Sequence, residues 1–193
     1  MIKEIKRVRE AELYKNAAIF FNRNGYSSTS IRQIGRAIGI REGSIYHYIR
    51  SKQDLLFNIC EWAMRTSLDA IAPLAKQDLN PGVKLKQMIK LHIATLAKNS
   101  TEHCTMLKEL RSLDRNNKKK IIKLRDRYEA FFRDVIEDCV RNNIFRDLDI
   151  KMTTIVLLGM MNSLVRWYSS EGPIKSETIS DIISNLFFDG VKS

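Results

Sequence analysis

The stretch TSIRQIGRAIGIREGSIYHYIRSKQDL, residues 29–55, reads as two short helices joined by a tight turn. Ile31, Ile34 and Ile38 recur at helical spacing, so they form one apolar face of the first helix. Gly39 then ends that helix, because glycine adopts without steric cost the left-handed conformation that often follows a helix. The pattern therefore predicts two helices that cross at a short turn.

The second helix is predicted to follow Gly43 and to turn Ile45 and Ile49 inward. Its polar and aromatic side chains then lie on the other sides. A pair of helices joined in this way is a helix-turn-helix, and its second helix fits the DNA major groove. We therefore interpret the inward isoleucines as the scaffold and the second helix as a recognition helix.

The run from Thr29 to Leu56 resembles the N-terminal signature of TetR-type transcriptional regulators, including Tyr46 and Lys52. It departs from that signature at Ile49, where phenylalanine is usual, and at Arg50, where proline or a small polar residue is common. The resemblance implies an all-α chain of about nine helices. These would form an N-terminal three-helix domain and a C-terminal helical domain for ligand binding and dimerisation.

Two roles in DNA binding are expected from these side chains. Hydroxyl, phenol and ammonium groups hold phosphates without reading sequence, and this is the role expected of Thr29, Tyr46 and Lys52. Ser30 is a further candidate for a DNA contact, and Thr29 or Ser30 also caps the first helix. The candidates for contacts to base edges are Arg41, Glu42, Ser44 and His47. Glu42 would accept from a cytosine amine or else repel the backbone.

Composition agrees with a helical DNA-binding protein. The 193 residues are 44% hydrophobic with only 8 Gly and 3 Pro, and no useful strand alternation is present. The net charge is +11, of which residues 1–54 carry +6, from 11 Lys and Arg against 5 Asp and Glu. Positive charge is therefore denser around the predicted recognition helix, although a basic composition by itself is common in proteins. Together with the helix-turn-helix, the resemblance implies a DNA-binding domain over residues 1–54, an effector-binding and dimerisation domain over residues 55–193, and double-stranded DNA as a partner.

The residues before the helix-turn-helix predict a first helix with an apolar stripe of Leu13, Ala17, Phe20 and Phe21, ended by Asn24-Gly25. The basic residues at the N-terminus either reach phosphate and the minor groove or form a solvated terminus; they are Lys3, Lys6, Arg7 and Arg9. The charged N-terminus is not a signal peptide, and no apolar run is long enough for a membrane span.

Helical periodicity continues through the rest of the chain. After a helix that carries Trp62 inward and runs to about Pro73, residues 76–82 form a linker, and Pro81 suits a first helical turn. Residues 114–120 are polar and basic and precede a long amphipathic helix, which Asn143 ends in a left-handed turn. The next helix is expected over residues 149–170 and is apolar on most of its circumference.

The last two helices are predicted to pair with their copies in a homodimer, as a four-helix bundle. The side chains expected in that interface are Leu157, Met161, Leu164, Tyr168, Ile179, Ile182, Ile183 and Leu186. Packing within one chain would satisfy the same stripes. A polar stripe with Gly159, Asn162 and Arg166 needs partners in a ligand, a second subunit or other side chains.

The C-terminal half resembles the TetR regulators that respond to acyl-coenzyme A in fatty acid or sterol breakdown. The resemblance lies in residues 124–129, Gly159-Met160, Asn162, residues 166–168 and the ending 187–191. It implies a small hydrophobic effector, a fatty acyl-CoA, and no required cofactor. The candidate effector-binding residues are Arg125, Tyr128, Phe132, Met160, Asn162, Arg166 and Trp167. A plain hydrophobic core is the more common explanation of such Met and aromatic residues.

Other classes of protein find little support. The sequence contains no G-x-S-x-G, H-E-x-x-H, Walker or glycine-fingerprint motif, so we predict no enzyme. Cys60, Cys104 and Cys139 are widely spaced and odd in number, which predicts reduced thiols in the cytoplasm. Cys104 with a histidine is a conceivable metal site, but we predict none. The remaining rivals are an unregulated DNA-binding protein and a ligand-sequestering protein.

Overall fold

The structure, a computed structural model, describes the backbone of residues 2–192 and the side chains of residues 10–41 and 43–192. Within this part of the chain it contains nine α-helices, which confirms the predicted all-α fold. They are α1 Ile2–Asn24, α2 Ile31–Ala37, α3 Glu42–Ile45, α4 Lys52–Ala75, α5 Pro81–Lys98, α6 Ser100–Glu109, α7 Arg115–Arg141, α8 Ile150–Asn162 and α9 Ser176–Val191. Short 3-10 helices follow α6 and α8, at Leu110–Ser112 and Ser163–Arg166.

The chain divides into two compact units. The first contains Met1–Met64 and Thr101–Ile122, and the second contains Arg65–Ser100 and Lys123–Ser193. Two of the boundaries between the units fall inside long helices, α4 and α7. Packing therefore divides the chain differently from the predicted functional boundary after residue 54. The boundary after residue 54 stays a prediction.

The first unit is built on the apolar faces that the sequence predicts. Leu13, Ala17 and Phe21 of α1 and Ile34 of α2 are almost fully buried, and so is Ile45 of α3. These side chains meet because α1 packs against α2, and α2 packs against α3. The predicted inward position of Trp62 on α4 is wrong: its side chain is 41% exposed, whereas its neighbours on that helix fill the core.

Segment 101–114 belongs to the helix-turn-helix unit through polar contacts. Thr105 of α6 donates its hydroxyl to the carbonyl of Ala18, and the Glu109 carboxylate accepts from the backbone N–H of Tyr26. The side chain of Gln53 donates to the carbonyl of Ser112 at 2.7 Å and accepts from the backbone N–H of Asp114 at 3.1 Å. These bonds join a distant part of the sequence to the end of α1 and the start of α4.

In the second unit α5 and α9 pack side by side, and α8 contacts both. His92 of α5 accepts or donates at Nδ1 to the hydroxyl of Tyr128 at 2.7 Å, and Phe132 lies edge-on to the same imidazole. A second aromatic cluster joins Phe145 to two phenylalanines of α9. Proline at the first turn of α5 is as predicted.

Two predicted helix limits are wrong, and a third is confirmed. The helix α7 begins at Arg115, inside the polar and basic segment predicted to precede it, because Asp114 caps its first turn through the backbone N–H of Asn117. The helix α8 ends at Asn162, eight residues before the predicted end at residue 170. Asn143 has φ 55°, which confirms the predicted left-handed turn after α7.

Candidate nucleic-acid interface

The helix α2 is fixed at its start by a capping box. The hydroxyl of Ser30 accepts from the backbone N–H of Gln33, and the side chain of Gln33 accepts in return from the backbone N–H of Ser30 at 2.7 Å. Two N–H groups that a helix start leaves without partners are therefore satisfied. Ser30 is the cap, as one of the two predicted alternatives had it, and its exposed side chain lies at the positive end of α2.

The turn between α2 and α3 depends on two glycines. Gly39 has φ +66°, as predicted for the residue that ends the first helix. Gly35, which sequence reasoning missed, lies where the two helices approach most closely. A Cβ at Gly35 would meet the carbonyl oxygen of Ile40 and the Cδ1 of Ile45, each at 2.7 Å. Gly35 lies on α2 next to the buried Ile34, and a glycine inside a short helix is the signal that could have indicated a close approach there.

The recognition helix is shorter than predicted and begins earlier. Arg41 is its N-cap, so Gly43 lies inside α3 instead of preceding it. The α-helical part ends at Ile45. Backbone hydrogen bonds from His47 to the carbonyl of Ser44, and from Tyr48 and Ile49 to the carbonyl of Ile45, then form a turn. Ile45 and Ile49 both face inward, as predicted.

Three of the four candidates for base contacts surround one surface cleft. Arg41, Ser44 and His47 line a cleft of about 390 Å³ together with Tyr48 and the turn residues. All three of these polar side chains are exposed. The fourth candidate, Glu42, lies in α3, but its side chain is outside the described residues. Guanidinium, hydroxyl and imidazole groups grouped in this way match the donors and acceptors of base edges.

The candidates for phosphate contacts differ in accessibility. Tyr46 is 50% exposed. Lys52 is half-buried, donates through Nζ to the carbonyl of Ser27 at 3.3 Å and lies 4.3 Å from the ring centre of Tyr26. Partial burial lowers the pKa of Lys52, and the negative charge of Glu109 acts in the opposite direction. Tyr26 was not predicted, although its place just before the recognition segment is visible in the sequence.

The prediction that the Thr29 hydroxyl holds a phosphate is wrong. Its side chain is only 1% exposed, and its hydroxyl donates to the carbonyls of Gly25 at 2.9 Å and Phe20 at 3.2 Å. The hydroxyl therefore closes the end of α1, where Gly25 has φ +79°. Thr29 acts as a structural residue of the turn. The contacts predicted for the basic residues 3–9 lie outside the described side chains.

Two family models match most of the chain. Residues 13–59, which run from α1 to the start of α4, match the model described as "Bacterial regulatory proteins, tetR family". Residues 78–191, which contain α5 to α9, match the model described as "Tetracyclin repressor-like, C-terminal domain". The chain belongs to the TetR family. It is a DNA-binding transcriptional regulator, and the interface described above is its helix-turn-helix.

Individual TetR family relatives are similar over nearly their whole lengths. The HTH-type transcriptional repressor KstR2 of Rhodococcus jostii is 23% identical over 97% of this chain and 93% of its own. The fatty acid metabolism regulator protein of Bacillus subtilis is 20% identical over 96% of this chain and 97% of its own. The crystal structure of AibR in complex with isovaleryl coenzyme A and operator DNA has a TM-score of 0.84, with 23% identity over 93% of this chain and 98% of that chain.

The predicted effector-binding residues of this TetR regulator lie in different environments. Tyr128 and Phe132 are buried against His92, and burial raises the pKa of Tyr128. Met160 and Asn162 are half-buried, and the exposed candidates are Arg125, Arg166 and Trp167. Trp167 follows the 3-10 helix after α8 and is 56% exposed. Phe132 is fully buried whereas Trp167 is largely open to solvent. The role of these residues in effector binding stays a prediction.

The predicted dimer residues also divide into two groups. Five of them are buried within this chain, namely Leu157, Met161, Leu164, Ile179 and Ile183. Their prediction as interface residues is wrong, because their side chains already fill the core of the second unit. Tyr168 is half-buried. Ile182 is 49% exposed and Leu186 is 63% exposed, so these two remain candidates.

The exposed apolar side chains of α8 were missed. Met152, Ile155 and Val156 are between 42% and 54% exposed and lie at helical spacing on one side of α8. We call Met152, Ile155, Val156, Ile182 and Leu186 the apolar face of the second unit. The period of α8 could have indicated it, since this stripe lies opposite the stripe that begins with Leu157.

The cysteines are buried thiols. Cys60, Cys104 and Cys139 form no disulfide bond, and burial raises the pKa of Cys60 to about 12. Among the side chains that the structure describes, no group of three or more His, Cys, Asp or Glu residues could hold a metal ion. None of the helices in the described part of the chain is long and apolar enough to span a membrane.

Proposed function

We propose that this TetR family member is a dimeric repressor that leaves a palindromic operator when a fatty acyl-CoA binds. The grouping of Arg41, Ser44 and His47 around one exposed cleft of the recognition helix carries the proposal for sequence reading. These side chains would contact base edges, with Glu42 as a fourth. Ser30, Tyr46 and Lys52 would contact phosphates, Lys52 after exchanging the Ser27 carbonyl for a phosphate oxygen.

Dimerisation is supported by the apolar face. Isolated exposed apolar residues are common, but stripes on two contacting helices mark a surface that a protein partner covers. Met152, Ile155 and Val156 repeat on α8, and Ile182 and Leu186 are one turn apart on α9. Two copies of this surface related by a two-fold axis would form a four-helix seam. Their recognition helices would then read half-sites about 34 Å apart, and such a pair gives the selectivity that one helix lacks.

The effector is proposed from the family resemblance together with the relatives. AibR was crystallised with isovaleryl coenzyme A, and one relative is a fatty acid metabolism regulator. In this chain the buried Tyr128 and Phe132 would border the acyl chain, and the exposed Arg125 and Arg166 would suit phosphates of the coenzyme. The effector changes DNA affinity only if it binds unequally to the two spacings of the recognition helices. A DNA-binding protein of this kind would act in the cytoplasm.

Footprinting on the DNA that flanks the gene tests the proposal most directly. We expect a protected region with two-fold symmetry, and its loss on adding long-chain acyl-CoA but not free coenzyme A. A thermal shift by the same compound would accompany the release, because a ligand that binds only the folded state stabilises it.

Two alternatives make different predictions. A regulator of the same fold with another hydrophobic or drug-like effector would keep its footprint with every acyl-CoA and lose it with a different compound. An unregulated DNA-binding protein would keep its footprint throughout. The absence of any footprint, on DNA that extends through the whole flanking region, would contradict the proposal itself.

A further inference from the structure

A basic segment that spans the 3-10 helix after α6 and the first turns of α7 has no role in the function proposed so far. It contains Arg111, Arg115, Lys118 and Lys119, and we call these four residues the basic segment. Arg111, Arg115 and Lys119 are exposed, and Lys118 is half-buried. Arg115, Lys118 and Lys119 lie three and four residues apart, so they share one side of α7.

The positive charges of the basic segment are not neutralised by other described side chains. In the described part of the chain, none of the four side chains forms an ion pair or a hydrogen bond with another group. The nearby acids point elsewhere. Both carboxylate oxygens of Asp114 accept from Asn117, and those of Glu109 accept from Tyr26 and Ser112.

Clustering these cations has an energetic cost in the protein alone. Arg115 and Lys119 are four residues apart on one helix, and like charges at that spacing destabilise a helix. A bound polyanion would replace this repulsion with attraction. The exposed positions between residues 111 and 120 carry charged or amide side chains, and Ile122, 38% exposed, follows them on α7. This surface therefore offers mainly charge and not the apolar stripe that inserts into a lipid bilayer.

The segment is attached to the DNA-binding unit. Gln53, the neighbour of Lys52, bonds through its side chain to Ser112 and Asp114, and these two residues lie between Arg111 and Arg115. Residues 101–122 also pack in the same compact unit as the helix-turn-helix. A movement of the helix-turn-helix therefore carries the basic segment with it.

We propose that the basic segment is a second DNA-contacting surface, which holds backbone phosphates outside the bases that the recognition helix reads. The inference rests on the proposed DNA-binding function and extends the contact along the duplex. Phosphate contacts carry no sequence information, so the segment would raise the affinity for all DNA and leave operator selectivity unchanged.

The test compares the variant R111Q/R115Q/K118Q/K119Q with the wild-type protein by fluorescence anisotropy. The probes are the footprinted promoter duplex and a random duplex of equal length, each titrated at several salt concentrations. We expect the slope of log affinity against log salt to fall by roughly 0.9 for each phosphate that the variant no longer neutralises. Affinity near physiological salt should fall roughly tenfold on both probes, with the ratio between the probes unchanged.

A charge-matched variant controls for net charge. It is R133Q/R146Q/K76Q/K175Q, which removes two arginines and two lysines from exposed positions of the second unit. We expect its salt slope to match that of the wild-type protein. An equal reduction of the slope in both variants would overturn the inference, because the effect would then belong to total charge.

Further readouts separate the possible failures. Melting curves establish whether the fourfold variant is folded. If it is unstable, the smaller variant R115Q/K119Q replaces it, and we expect its salt slope to fall by part of the same amount. A wild-type slope in both folded variants contradicts the second surface while the proposed function stands. Failure of the wild-type protein to bind either duplex contradicts the proposed function itself. Loss of binding to phosphatidylglycerol vesicles with unchanged DNA affinity would assign the segment to a membrane and overturn the inference.

Discussion

The helix-turn-helix and the apolar face of α8 and α9 are both exposed, but their side chains have opposite character. Around the recognition helix, Arg41, Ser44 and His47 are accessible while the isoleucines beneath them are buried. On the second unit the accessible side chains are themselves apolar, with Val156 54% and Leu186 63% exposed. The polar groups of the first surface are well hydrated in water, whereas burial of the second surface away from water lowers the free energy.

This difference indicates two kinds of partner. A polar surface exchanges water and counterions for phosphates and base edges, so its binding depends strongly on salt. Burial of an apolar surface contributes about 25 cal/mol of stabilisation for each Å² of apolar area removed from water, and this contribution depends little on charge. One chain therefore carries a surface suited to DNA and another that we propose binds a copy of itself, and substitutions can separate the two.

The largest effect is expected from a charge in the apolar face. Leu186→Asp would place two unpaired carboxylates in the proposed symmetric seam, at a cost of about 3 kcal/mol or more. We expect monomers in analytical ultracentrifugation and an operator affinity lowered at least a hundredfold. Leu157→Ala is the matched control, since its fully buried side chain should affect thermal stability without producing monomers. A Leu186→Asp dimer of normal affinity would remove α9 from the seam.

A methyl group at Gly35 should disrupt the packing of α2 against α3 and so displace the polar side chains of the recognition helix. In Gly35→Ala the new Cβ meets the carbonyl oxygen of Ile40 at 2.7 Å, and this backbone atom cannot rotate away. We expect a loss of about 2 kcal/mol in stability by urea unfolding and loss of operator binding, with dimerisation retained. Gly43→Ala is the control for stability, because its Cβ has no neighbour within 4 Å. Equal stabilities of the two variants would contradict the close approach of α2 and α3.

His47→Ala distinguishes contacts to base edges from contacts to phosphates on the helix-turn-helix. The imidazole lines the cleft and is exposed, so its loss should leave folding unchanged. We expect operator affinity to fall by about 1 kcal/mol or more, with random DNA bound as before. Selection of preferred sequences from a random pool measures the change in base preference. Equal losses on operator and random DNA would reject a reading role for His47.

Lys52→Ala should have the smallest effect and the opposite pattern. Its ammonium group would contact a phosphate, so we expect weaker binding to all DNA and a salt slope lower by about 0.9. Because Lys52 also lies over the ring of Tyr26, the variant is compared with Lys52→Arg, which keeps a cation there. An unchanged slope in Lys52→Ala would remove this residue from the contact surface.

The fold of the first unit could be predicted because its signals are local. The isoleucine spacing in α2 and the positive φ at Gly39 depend on residues within a few positions of one another. The same holds for Pro81 and Asn143, each of which ends or begins a helix through its own backbone preference. Which polar side chains point outward then follows from which isoleucines point inward.

The errors arise where a residue's role depends on a distant partner. Thr29 was predicted to meet phosphate, but the carbonyls at the end of α1 take its hydroxyl. Leu157 and Met161 have the period of an interface, but neighbours from α5 and α9 bury them within one chain. The early end of α8 likewise leaves Trp167, which lies inside the predicted helix over residues 149–170, beyond the end of that helix.

The sequence by itself determined that the chain is helical, that residues 29–55 form a helix-turn-helix, and which isoleucines that motif buries. Hydrophobic period, caps and glycine conformation act over a few residues, so no tertiary information is needed for these features. Only the tertiary structure decided which of the two stripes of α8 is buried, and that residues 101–122 pack with the DNA-binding unit. Burial and long-range hydrogen bonds are properties of residues far apart in the chain, and one sequence pattern is compatible with several such pairings.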